Sequence, residues 1–310
     1  MSNTSRCKNT LIGMGKSSLW ISTFIVVQMF TAMGFMLHKI FTDDVYADLF
    51  YCLVKPIYDE ADSSIERAIQ MIAILDQLFA DILMPAMITA NTLIIVIFCI
   101  VINRKSIVAF ITGRKNDFKE KRMEFCRKIS NMTLSKSCFD FVFLALGLNG
   151  IISISSIIVQ KLLPENIGIM HDESINLALS GPPMLCLLST GILAPIAEEI
   201  VFRYGVKNAL TGISPQLALI MQSIIFGLMH VNLIQCAYAI ILEYLFGIAD
   251  NKYKSIFPSC IMHIVINSSS VIISFAASSV KTELVGSGIM AILWIGYSLY
   301  RREFDDAVAV

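Results

Sequence analysis

Three short polar clusters interrupt the apolar C-terminal half of this chain: Glu198-Glu199-Ile-Val-Phe-Arg203, Phe226-Gly-Leu-Met-His230 and His263-Ile-Val-Ile-Asn267. Each falls in a run apolar enough to cross a bilayer, where one ionisable side chain costs about 2.5–3.5 kcal/mol and is a functional hypothesis by default. Residues four apart share a helix face. Glu199 can therefore pair with Arg203, while Glu198 points about 100° away and has no comparable partner. Phe226 shares a face with His230, as His263 does with Asn267, so each helix offers one polar cluster to a common interior. A carboxylate and a neutral imidazole converging on one water can deprotonate it, and a second His with an Asn can donate to the oxyanion formed at a carbonyl. That is equipment for hydrolysing a peptide bond without a covalent intermediate.

Each residue also has a structural reading. Glu199 with Arg203 reads as a neutralised pair that lets the helix stay in the membrane, since an unpaired buried charge is far costlier. His230 and His263 taken singly could each make an interhelical hydrogen bond, Asn267 could serve as helix glue, and Phe226 reads as packing. Asp140 and Glu243 belong to no repeated spacing: the first sits near the end of an apolar run, and the second reads as a helix–helix contact.

The elements that must position these groups follow from composition. Of 310 residues, 56% are hydrophobic and 15% charged, against roughly 45–50% and 25% in soluble domains. A soluble single-core protein and a disordered chain are both excluded. The 24 basic and 24 acidic residues balance, leaving no electrostatic footprint for nucleic acid. The eight cysteines form no C-x-x-C pair and read as small buried hydrophobes. Apolar runs at 18–37, 83–103, 141–160, 183–203, 215–232, 234–249, 257–279 and 284–300 predict an all-α, polytopic membrane protein of about eight transmembrane helices. Residues 1–165 hold N-terminal membrane helices and a basic loop at about 104–136, residues 180–279 the catalytic core, and 284–310 the last helix and tail. The segment from Ile65 to Phe79, apolar at helical spacing but charged, reads as interfacial. Basic residues cluster at the N-terminus, between Arg104 and Lys136, and at Lys252, Lys254, Arg301 and Arg302, whereas Asp43 to Glu66 and Glu165 to Glu173 are acidic. The positive-inside rule then puts both termini in the cytoplasm. The basic loop reads as a topology determinant.

Taken together, and in this order, the motifs E-E-x-x-x-R, F-x-x-x-H and H-x-x-x-N resemble those of the CPBP (Abi) intramembrane proteases, the type II CAAX prenyl endopeptidase and bacteriocin-processing group, over roughly residues 180 to 275. The resemblance implies that Glu198 and His230 activate the water, that His263 and Asn267 form the oxyanion hole, and that Glu199 with Arg203 supports the site. It implies a hydrolysis that is glutamate-dependent and metal-free, so no cofactor is expected and zinc is disfavoured. It implies a peptide or protein substrate in or at the bilayer of a bacterial plasma membrane, in bacteriocin or signal-peptide maturation or in self-immunity. A non-catalytic scaffold or immunity protein is the alternative. A transporter is a weaker one, because its polar residues should recur in both halves. One tension stands: if residues 215–232 run outward across the membrane, His230 lies at the far end of that span while Glu198 lies toward the inner end of its own. The two meet only if the helices are tilted, broken or offset.

Overall fold

The computed structural model describes residues 3–43, 46, 64–111, 136–230, 232–253 and 255–308, and among these it is helical throughout, without strands. The basic stretch from Thr112 to Ser135 and most of the acidic segment from Asp44 to Ser63 lie outside the described residues. In chain order the helices are α1 (Asn3–Thr42), α2 (Ser64–Ile111), α3 (Lys136–Leu162), α4 (Glu165–Ala178), α5 (a composite helix over Pro183–Leu210), α6 (Pro215–Leu228), α7 (Leu233–Tyr253), α8 (Phe257–Ala276) and α9 (Val280–Val308).

Seven of these are long and apolar enough to cross a membrane, and α6 is not one of them. The all-α, polytopic expectation of about eight helices holds, with seven of span length among the described residues and the run at 215–232 forming a shorter apolar helix. Ser214, whose hydroxyl accepts from Leu217 N, and Pro215 start α6, and it ends at Leu228 after 14 residues, or ~21 Å against a hydrocarbon thickness of ~30 Å. It nonetheless packs antiparallel on α7. A Cβ at Gly227 would meet Ile240, one at Gly247 would meet Leu219, and Gln222 bonds Glu243 midway. The chain therefore returns to the end of the bundle from which α6 set out.

Contacts at the helix ends give the relative sides. Gly13 lies against Ala209, Lys207 reaches Asn251 at 2.8 Å, and Arg301 reaches Asp140 at 3.0 Å, all at one end. Lys39 reaches Asp81 at 3.3 Å, and His171 reaches Asn232 at 3.2 Å, at the other. The start of α1 and the end of α9 thus lie at the same end. Asp140, expected near a span end, is there and also accepts from Tyr297 Oη at 2.7 Å.

α5 is the central element. Of its membrane window 56% is buried, against 6% for α1; the outer helices turn Leu19, Phe30, Ile100, Ile292 and similar side chains outward, toward lipid. α5 is also wound irregularly, with π-helical stretches at Leu187–Leu193 and Glu199–Lys207 flanking an α-turn at Ala194–Glu198. Such insertions recur at functional sites. Pro195 has no N–H to give, which leaves Gly191 O without its α-register donor and Thr190 O without its π-register donor. Ser268 Oγ donates to Gly191 O at 3.1 Å and Asn267 Nδ2 to Thr190 O at 3.2 Å, stitching α8 to α5 at the break.

Candidate active site

Arg203 is the hub. Its side chain is 1% exposed, and its guanidinium is engaged on every nitrogen. Nε donates to Glu199 Oε2 at 3.1 Å and lies 3.0 Å from Asp250 Oδ2. Nη1 donates to Gln222 Oε1 at 2.9 Å and to Glu243 O at 3.1 Å. Nη2 donates to Glu243 Oε2 at 2.7 Å, which also accepts from Gln222 Nε2 at 2.7 Å. The i,i+4 pairing of Glu199 with Arg203 is present, and the cation also ties α5 to α6 and α7. Asp250 continues the tie to α8, where its Oδ1 accepts from Ser259 N at 3.1 Å. Burying so large a cation requires this number of partners, because an uncompensated charge in an apolar interior is prohibitive. Gly247 supplies the room, since a Cβ there would stand 2.6 Å from Arg203 Nη1.

Gln222, Glu243 and Asp250 are not among the site residues that the sequence points to, and Glu243 is more than a helix–helix contact. A signal is present in each case. Gln222, Phe226 and His230 recur every four residues along α6, and Glu243, Gly247 and Asp250 follow an i, i+4, i+7 face of α7.

His263 is the bridge to the other carboxylate. Its Nδ1 is 3.0 Å from Glu199 Oε1 and its Nε2 is 3.5 Å from Glu198 Oε2. Glu199 thus holds Arg203 with one oxygen and His263 with the other. Glu198 differs from its neighbour in access, with a side chain 21% exposed where Glu199 is at 1%. Both rings of interest touch Phe226: His230 at 4.8 Å between centroids and His263 at 5.8 Å. Phe246 packs on His263 from a further side. His230 Nδ1 lies 3.1 Å from the Phe226 carbonyl. A carbonyl only accepts, so Nδ1 carries a proton, and in the neutral ring Nε2 then carries the lone pair. That is the tautomer a general base requires.

Among the described residues, His230 makes no hydrogen bond to Glu198, and Glu198 reaches His263 instead. The depth conflict between His230 and Glu198 nevertheless eases. α6 is short enough that Phe226, one turn before His230, stands against His263. Asn267 lies one turn beyond His263 on α8, with one amide hydrogen given to Thr190 O and one more available.

Oxygen and nitrogen atoms of Glu199, Glu243 and His263 lie within 4.8 Å of one another, the spacing of a metal-ligand set. These residues do not fit a divalent cation well. Arg203 already occupies one oxygen of each carboxylate at 3.1 and 2.7 Å, and a metal would sit beside that guanidinium as a like charge.

Residues 180–269, under a third of the chain, match the family model of the type II CAAX prenyl endopeptidase Rce1-like proteins. This stretch runs from just before α5 to the middle of α8 and holds every residue of the three motifs. No curated protein and no solved structure matches the chain.

Proposed function

We propose that this protein is an intramembrane endopeptidase that cleaves its peptide substrate with a water activated by Glu198 and His230. The observation that carries the reading is the division of labour between adjacent carboxylates. Glu199 is sealed in and doubly engaged by Arg203 and His263, whereas Glu198 keeps partial access and a single long contact. The match to a protease family over the same residues supports it.

In the proposed reaction Glu198 accepts a proton from water held against His230 Nε2, and the oxygen attacks the scissile carbonyl carbon. His263 acts as an imidazolium: its Nδ1–H stays on Glu199 while its Nε2–H leaves Glu198 and donates, with the second amide hydrogen of Asn267, to the oxyanion. Collapse breaks the C–N bond, and the proton held by Glu198 passes to the leaving nitrogen, giving one acid and one amine. Glu199 fixes His263 through Nδ1, as a carboxylate orients an imidazole in other hydrolases. No step requires a metal.

The substrate is proposed to be a membrane-associated or secreted peptide, as in bacteriocin or signal-peptide maturation or self-immunity, met in a bacterial plasma membrane with both termini of the enzyme in the cytoplasm. The test uses the full chain in liposomes with a tryptic pool of a bacterial proteome, mixed with farnesylated CAAX peptides. New peptide termini should appear with the wild-type protein and vanish with Glu198→Gln. Identical termini from both, or none from the wild type, would refute the proposal and favour the scaffold reading.

A further inference from the structure

α4 lies between the third and fourth membrane helices, and Ile169, Met170 and Leu177 on it are exposed, while its one buried residue is His171. Ile167 and Ile175 are half-buried, so a helix that exposes the other three large apolar side chains and buries an imidazole is docked in part by polar contacts. The partner is Asn232, itself 5% exposed, at the junction of α6 and α7. Asn232 Nδ2 donates to Ser174 Oγ at 2.7 Å, which turns Oδ1 toward His171 Nδ1 at 3.2 Å. The same Oδ1 accepts from Ile234 N and Gln235 N, each at 3.1 Å, capping α7. An amide oxygen only accepts, so His171 donates from Nδ1–H, in its neutral or its charged form alike.

His230 stands two residues before this clamp. Its ring is oriented by Phe226 O, and its own N–H closes the last turn of α6 on Gly227 O at 3.2 Å. Helix ends fray where nothing holds them, and here the chain just past the end is held by α4. We propose that His171, Asn232 and Ser174 form a clip by which α4 positions His230, making His171 and Asn232 positioning residues for the water-activating imidazole. The inference rests on the function proposed above. It adds that α4, a helix outside the three motifs, sets the geometry of one of them.

The chain has four histidines, few enough to follow singly in histidine-15N-labelled full-length protein. Long-range 1H–15N spectra should show His230 as one tautomer, protonated at Nδ1. In Asn232→Ala the His230 signals should shift toward a tautomer mixture, and kcat should fall by up to about 10²-fold, the cost of a misplacement of ~1 Å, with KM little changed. The substrate is an internally quenched peptide built on a site cut in the pool described above. Asn232→Asp keeps the cap and the acceptor for His171 but loses the amide donor to Ser174, so it should bring both readouts back to the level of Ser174→Ala. Ser174→Ala leaves the cap intact and should give a smaller effect of the same kind, which keeps the proposal testable if Asn232→Ala does not fold. A lowered melting temperature with His230 signals and kcat unchanged in both Asn232→Ala and Ser174→Ala would overturn the clip. A wild-type protein that cuts nothing would instead refute the enzymatic reading, and the His230 spectra would still decide whether the clip positions the ring.

Discussion

Glu198 and Glu199 are adjacent in sequence and opposite in circumstance, so their substitutions should separate. Glu198→Gln keeps shape and hydrogen bonding but cannot accept a proton. Cleavage should fall about 10²–10⁴-fold with the melting temperature in detergent unchanged, and a fully active, equally stable variant would remove Glu198 from the reaction. Glu199→Gln takes the carboxylate from Arg203 and His263 together. Breaking a buried pair costs about 3–5 kcal/mol, so thermal unfolding should shift downward before any kinetic effect is considered. Asn267→Ala should cost about 10²–10³-fold if its amide meets the oxyanion. Asn267 also bonds Thr190 O, so this variant needs the melting temperature as a control; a loss of activity that merely follows a loss of folded protein would make Asn267 a helix tie.

The elements are held close by what they omit. α7 can approach α5 and α6 because Gly247 has no side chain, and a Cβ would meet both Arg203 and Leu219. Gly247→Ala should therefore destabilise by about 1–3 kcal/mol, the usual cost of overpacking, measured by urea or thermal unfolding in detergent. Gly288→Ala is the contrast, since nothing lies within 4 Å of a Cβ there. It should be neutral or stabilising by roughly 0.5–1 kcal/mol through helix propensity. Equal effects at the two glycines would mean that α7 is not pressed against the guanidinium as described.

At the scale of the whole molecule, the contacts Gly13 with Ala209 and Arg301 with Asp140 put both outermost helix ends on one side, and the proposed orientation, argued from the charge pattern, has that side in the cytoplasm. In a cysteine-free background, Arg302→Cys should resist a membrane-impermeant maleimide applied to intact cells, whereas Glu173→Cys on α4 should react. The reverse pattern would invert the orientation. Because Arg203 already neutralises the carboxylates nearest a metal-like cluster, cleavage should persist in EDTA. Loss of cleavage, recovered with zinc, would reassign Glu199, Glu243 and His263 as ligands.

The positions of most helices, and the three polar clusters they carry, were legible in the sequence because both are local properties: an apolar run of bilayer length reports a span, and a four-residue spacing reports a shared face. The pairing of Glu199 with Arg203 belongs to the same class, since it joins residues one turn apart. What joins distant residues was not legible. Periodicity says which face a side chain occupies and nothing about which helix lies opposite, so Glu243, Asp250 and Gln222 could not be placed around Arg203. The run at 215–232 looked like a full span because hydropathy is blind to where a helix is capped and reversed. Only packing revealed that α6 stops at Leu228 and so brings Phe226 against His263. The bond from Asn267 to Thr190 has the same origin. Pro195 leaves carbonyls without donors as a matter of local chemistry, yet which side chains reach them is decided by α8 lying alongside.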